Sequence, residues 1–398
     1  MPEFRRVAVD LRQAILYAVS MFKRSLNLAA LVGKKSFFLF GPRSTGKTTL
    51  VRQQFHAERI INLLRSSTYI PLSQEPGRLA ELIRAMPEPG LPVVIDEIQK
   101  LPDLLDEVHD LIESTGLHFV LTGSSGRKLK SSGVNLLAGR AWQANLFPLC
   151  SAELGQFDLT AYLLHGGLPQ VFGSEEPEEE LDAYIHTYLK EEVMAESLVQ
   201  NLAHFASFLR LAAISNGQQL NFANISRDSG IPASSVRAWF NILTDSFIGF
   251  MLEPWQSPKR KAVATAKFYF FDVGVANFLA GFHSLPRASA EFGVAFEHFI
   301  AMELRAWLSY RRIKETMWYW RTREGLEVDF IIGNSLAVEV KAAARVHAAD
   351  LRGLRAVAEE AQFTKRVLVC MEDRSRITED GILVQPWQDF LADLWTPV

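Results

Sequence analysis

Gly41-Pro42-Arg43-Ser44-Thr45-Gly46-Lys47-Thr48 has the spacing G-x-x-x-x-G-K-[ST], the pattern of a phosphate-binding loop. Each residue type has a physical reason. Glycines let successive backbone N–H groups turn toward phosphate oxygens, and the helix that follows presents its positive end. Lys47 is placed to reach the β- and γ-phosphates, the Thr48 hydroxyl to take one Mg²⁺ position, and Thr49 completes the nucleotide-binding set. Downstream, Val93-Val94-Ile95-Asp96-Glu97 is an apolar strand that ends in two acids. It sets Asp96 near the Mg²⁺ and leaves Glu97 to orient or deprotonate an attacking water. The chemistry is Mg²⁺-dependent ATP hydrolysis.

The next strand ends at Thr122-Gly123-Ser124-Ser125, where Ser124 is the candidate γ-phosphate sensor and Thr122 and Ser125 are the alternatives. Arg127 and Arg140 follow. An arginine from a neighbouring subunit stabilises charge in phosphoryl transfer. Arg140 is the preferred candidate, which carries the expectation of a homo-oligomer, a ring and plausibly a hexamer.

A second constellation lies near the C-terminus, where Asp329, Glu339 and Lys341 stand inside otherwise apolar strands. Two carboxylates on one Mg²⁺ and a lysine beside the water and scissile phosphate are what a metal-dependent nuclease needs. Glu339 and Lys341 are two apart on a strand and share a face. Asp329 faces the same way only if Gly333-Asn334-Ser335 is a three-residue turn; a two-residue Gly-Asn turn would send it to the opposite face. Glu297, on the preceding helix, is the candidate fourth acid. His165, His204, His298 and His347 are not at zinc-ligand spacings.

The elements that must position these residues alternate. Strand candidates 36–40, 59–63, 92–96 and 118–123, with helical periodicity between them, predict an α/β fold with a parallel sheet covered on both faces. Helical patterns at 205–216, 222–229 and 233–245 follow a helix-turn-helix layout. Arg237 is the base-seeking cation of the third helix, and Lys259, Arg260, Lys261 and Lys267 lie where a wing would meet phosphates. From 292 the order is α-β-β-β-α-β. Residues 11–32 read as helical with Arg12, Lys23 and Arg24 on a polar face, and 173–182, with six carboxylates, as Pro177 opening a helix with acids at its positive end.

Composition sets the bounds. The chain has 398 residues, long enough for two or three domains at roughly 150 residues each. With 42 basic against 45 acidic residues, any nucleic-acid contact must come from local patches. Cys150 and Cys370 are the two cysteines, far apart, which excludes a disulfide scaffold and fits a reducing cytoplasm. No apolar run reaches the roughly 18 residues of a membrane span.

The segments FLFGPRSTGKTTL (38–50), VVIDEIQKLPDLL (93–105), FVLTGSS (119–125) and LAGRA (137–141) together resemble an archaeal-type branch of the AAA+ ATPases. Gly166-Gly167-Leu168-Pro169 resembles that branch's Gly-Gly-x-Pro element. The resemblance runs from about residue 30 to the end. It implies a C-terminal winged helix and a nuclease-like domain similar to the PD-(D/E)xK superfamily, intact or degenerate. The expected organisation is an N-terminal helical segment (1–33), an AAA+ domain with a helical lid (34–200), a winged helix (201–285) and a nuclease-like, restriction-endonuclease-like domain (286–398). The expected activity is ATP hydrolysis coupled to binding and processing of DNA, read by structure rather than sequence.

Overall fold

The computed structural model describes residues 22–126, 137, 139–189, 202–256 and 265–396. Arg127 and the basic run Lys259-Arg260-Lys261 lie outside the described residues. Two compact units divide the chain: one of 1–149, 168–175 and 241–248, the other of 150–167, 176–240 and 249–398. They interleave along the sequence.

The first unit holds strands β1 (Ser36–Phe40), β2 (Ile60–Asn62), β3 (Val93–Asp96), β4 (Phe119–Gly123) and β5 (Ala141–Asn145). They form one parallel sheet in the order β2-β3-β4-β1-β5. β1, β3 and β4 are buried along their whole length, as continuously apolar strands of a covered parallel sheet must be. Phe38, Ile95, Phe119 and Leu121 join Leu104 and Val108 of the helix Leu104–Thr115 in one core. Each such side chain contributes roughly 1.5–3 kcal/mol on burial. β5, Ala-Trp-Gln-Ala-Asn, is a half-exposed edge strand without an apolar run, which is why the sequence pattern passes over it.

The second unit holds helices Leu202–Ile214 and Phe222–Ser229, the helix Ala233–Asp245 up to Phe240, and the antiparallel pair β6 (Gly249–Leu252) and β7 (Lys267–Phe270). The helix Pro177–Ala183 has Pro177 in its first turn with Glu178, Glu179 and Glu180 at its positive end. The Gly166-Gly167 pair has a packing cause: Gly166 has φ +83° and a Cβ there would lie 2.0 Å from Asp272 Oδ1. Asp272 accepts from Gly167 N at 2.8 Å and caps the helix Val273–Ala280 through Val275 N at 3.0 Å.

The remainder is a six-stranded sheet flanked by the long helix Ala290–Tyr310 and the shorter Arg352–Ala358 and Trp387–Trp395. Its strands are β8 (Met317–Arg321), β9 (Glu327–Ile332), β10 (Leu336–Val340), β11 (Lys365–Cys370), β12 (Arg376–Ile377) and β13 (Leu383–Pro386), ordered β12-β13-β11-β10-β9-β8. β8, β9 and β10 run antiparallel in succession, and β11 then returns parallel to β10 after a helical crossover. β12, β13 and the last helix extend the sheet beyond the expected order.

Buried polar groups tie this unit together. His298 Nε2 lies 2.7 Å from the Phe270 carbonyl, and its Nδ1 lies 3.1 Å from Asn216 Nδ2. Burial lowers its pKa to about 4, the Phe270 bond opposing and the Arg305 charge adding to the fall. Unfolded, the ring titrates near 6.5, so between pH 6.5 and 4 only the unfolded state binds the proton and stability falls with pH. Substituting His298→Gln removes that loss. Chemical denaturation across this range is expected to show the variant gaining about 3 kcal/mol on wild type by pH 4; a pH-independent difference between the two would sink the assignment.

Candidate functional site

In the first unit, β1 delivers the loop 41–48 directly to the helix Lys47–Gln54. Gly46 has φ +91°, the left-handed turn that starts the helix with its free N–H groups facing the loop. Lys47 Nζ donates to the carbonyls of Gly41 and Pro42, both at 2.8 Å, and Thr45 Oγ1 donates to Pro42 O at 2.9 Å. These bonds hold the lysine over the loop.

Asp96 ends β3 fully buried, and three side chains converge on its carboxylate. Thr48 Oγ1 donates at 3.1 Å, Asn62 Nδ2 at 3.2 Å and Thr122 Oγ1 at 2.6 Å. Burial raises the Asp96 pKa, the Thr122 and Thr48 hydroxyls oppose the rise, and the neighbouring charge of Glu97 adds to it. A hydroxyl and a carboxylate held together are the hard oxygen donors that Mg²⁺ takes beside nucleotide phosphates. The residues therefore fit that ion.

Glu97 sits at φ +65°, and its backbone N–H donates to Thr122 Oγ1 at 3.0 Å. Its side chain joins a second group. Gln99 Nε2 donates to Glu97 Oε2 and, at 3.0 Å, to Ser124 Oγ, which itself lies 3.4 Å from Glu97 Oε2. Ser124 and Glu97 are thus brought together, and Thr122 serves Asp96. Arg140 meets Glu113 on the helix Leu104–Thr115.

Three contributors were missed by sequence reasoning. Asn62 ends β2 opposite Asp96 in register, and Gln99 stands two residues past Glu97. Arg24, expected on a solvated helical face, instead precedes the helix Leu28–Val32 and braces the loop. Its Nη1 donates to Thr45 O at 2.7 Å and its Nη2 to Phe147 O at 2.6 Å.

The second constellation lies in the other unit. β9 and β10 pair Ile332 with Leu336 and Phe330 with Val338, the three-residue-turn register that sets Asp329 opposite Glu339. Asp329 accepts from Val340 N at 2.8 Å, and Lys341 Nζ lies 2.6 Å from Glu339 Oε1. Burial drives the Asp329 pKa up to about 7, with Glu297 adding to the rise and Lys267 and Lys341 opposing it. Glu339 is raised well above the carboxylate range, first by burial and then by Asp329.

Lys267 corrects an expectation. It is not a surface cation for phosphates; it is buried, with its Nζ 3.0 Å from Glu297 and 2.8 Å from Glu327. Burial disfavours its ammonium, but Glu297, Asp329 and Glu327 more than offset this and hold its pKa well above the usual lysine range. Arg237 is exposed on its helix and lies over the Phe222 ring at 4.7 Å.

The family described as an AAA domain matches residues 33–155. That match covers β1 to β5 and the whole Lys47–Thr48–Asp96–Glu97 cluster. Over residues 33–155 the chain is similar to an AAA domain. Two families described as domains of unknown function match on either side of the remaining boundary, DUF8612 over 156–285 and DUF4143 over 292–390. The Lys47–Thr48–Asp96–Glu97 cluster thus falls within the AAA match, and Asp329, Glu339 and Lys341 fall within the DUF4143 match.

No curated protein matches the chain. Among solved structures, the Aeropyrum pernix ORC1 protein in complex with DNA aligns at 15% identity over 68% of this chain and 92% of its own, with a TM-score of 0.26. Can2 from Sulfobacillus thermosulfidooxidans, in complex with cyclic tetra-adenylate, aligns at 10% identity over 90% and 96%, with a TM-score of 0.19. At such TM-scores neither establishes a shared fold. Among the described residues no helix is long and apolar enough to cross a membrane.

Proposed function

We propose that the chain is an ATP-hydrolysing, DNA-binding protein that works as a homo-oligomeric ring, its AAA domain driving a DNA-binding C-terminal half. The observation that carries the ATPase reading is the convergence of Thr48 and Thr122 on buried Asp96, with Glu97 held apart by Gln99 and Ser124. Thr48 and Asp96 would hold Mg²⁺, which supplies charge neutralisation on the phosphates. Lys47 and the N–H groups of the loop bind the β- and γ-phosphates. Glu97 orients the attacking water and takes its proton, and Ser124 reports the γ-phosphate through Gln99. Arg140, supplied in trans, would complete the site and make hydrolysis depend on assembly.

The DNA reading is supported by three helices followed by an antiparallel pair, a winged-helix order, with Lys259, Arg260 and Lys261 in the connection between the two strands. Contacts of that kind are with phosphates, so binding is expected to follow DNA shape. Replacing the three by Ala is expected to weaken binding evenly across sequences and to flatten the log–log salt slope by about 0.9 per lost contact. Fluorescence anisotropy over a salt series measures it. Unchanged affinity and slope would favour a nucleotide switch that acts through protein partners.

Cleavage is the second reading, favoured by the register that sets Asp329 opposite Glu339 with Lys341 on the same strand face. Incubating linear, single-stranded and four-way DNA with Mg²⁺ or Mn²⁺ tests it, wild type against Lys341→Ala. Cutting that the mutant loses would establish it.

A further inference from the structure

Two of the acids that a nuclease metal would need, Glu297 and Asp329, already face a cation of the chain's own, whereas Glu339 pairs with Lys341. Lys267 is 4% exposed, and its Nζ lies 3.0 Å from Glu297 Oε1, 2.8 Å from Glu327 Oε1 and 3.8 Å from Asp329 Oδ1. Glu297 comes from the helix Ala290–Tyr310 and the other two from β9, whereas the ammonium arrives on β7, a strand of the other sheet. Tyr269, on the same face of β7, donates its hydroxyl to Glu297 Oε1 at 2.5 Å. β7 therefore presents a cation and a hydrogen-bond donor together to the acids of the long helix and of β9.

These distances are those of an ammonium among acceptors. Among the described residues no group of three or more His, Cys, Asp or Glu side chains is disposed to hold a metal ion. The acids do not fit Mg²⁺ as they stand. Acceptor capacity nevertheless remains: Glu339, 5% exposed and across the ladder from Asp329, keeps its Oε2 buried without a hydrogen-bond partner.

We infer that Lys267 is a resident cation standing where a nuclease-like fold would hold its metal, so that the domain takes up no divalent ion while Lys267 is in place. The AAA site plays no part in this, and failure of the inference leaves the ATPase reading untouched. It also sets the two readings of the C-terminal domain apart, because a site filled by lysine binds DNA without cutting it.

The test uses the full chain without nucleotide, in an Asp96→Asn background that silences the AAA metal position. Mn²⁺ uptake is followed by calorimetry and by electron paramagnetic resonance. With Lys267 intact no uptake is expected. Lys267→Gln is expected to take up about one Mn²⁺ per chain through the freed carboxylates, and a further Glu339→Gln to remove it. Lys267→Arg, which keeps the charge, is expected to exclude the ion and serves if the glutamine variant does not fold. Mn²⁺ uptake by the intact or Arg chain that Asp329→Asn abolishes would overturn the inference. So would a folded Lys267→Gln chain that takes up none.

Discussion

Glu97→Gln is expected to bind ATP as the wild type does and to lose about 100- to 10,000-fold in turnover, the range a positioned general base contributes. The change is isosteric and leaves the backbone bond from Glu97 N to Thr122 Oγ1 in place. The Asp96 cluster with Thr48 and Asn62, which would hold the metal, is untouched. What is lost is the carboxylate that Gln99 and Ser124 hold in position. Equilibrium binding of a fluorescent ATP analogue and steady-state phosphate release separate the two effects. Lys47→Ala contrasts with it, because Lys47 serves the phosphates in both ground and transition states and its loss weakens binding as well. A Glu97→Gln protein with near wild-type turnover would remove Glu97 from the chemistry.

Lys267→Met is expected to destabilise the second unit by about 3–5 kcal/mol, the cost of removing one partner from a buried charge cluster. Met keeps the stem volume, so the loss reports charge rather than packing. Glu297, Glu327 and Asp329 lose their shared counter-ion, and Tyr269 alone remains hydrogen-bonded to Glu297 from β7. Denaturant unfolding with EDTA present measures the effect. A change below about 1 kcal/mol, the scale of an exposed ion pair, would mean that the cluster is solvated.

What was legible in the sequence is what neighbours along the chain decide. The phosphate loop is eight consecutive residues between a strand and a helix, and its geometry follows from local φ/ψ and the helix end. Asp96 and Glu97 announce themselves because two acids close an apolar strand. β1, β3 and β4 were readable because buried strands are close to continuously apolar, whereas the half-exposed β5 carries no such run. Even the turn at 333–335 could be reduced to two registers in advance, with opposite faces for Asp329.

Only the tertiary structure chose between those registers, because strand pairing is settled by the packing of whole faces. It alone brought Asn62 to Asp96 and Arg24 to the loop, across separations that no local pattern spans. Lys267 shows the reason most directly. Beside 259–261 it reads as one more solvated cation, since a side chain's charge does not reveal its environment. On β7 the two-residue period puts Lys267 and Tyr269 on one face, and acids of the helix Ala290–Tyr310 and of β9 close over that face. Charge type is local, but desolvation is not, and desolvation decides whether a lysine meets a phosphate in water or holds a domain together from within.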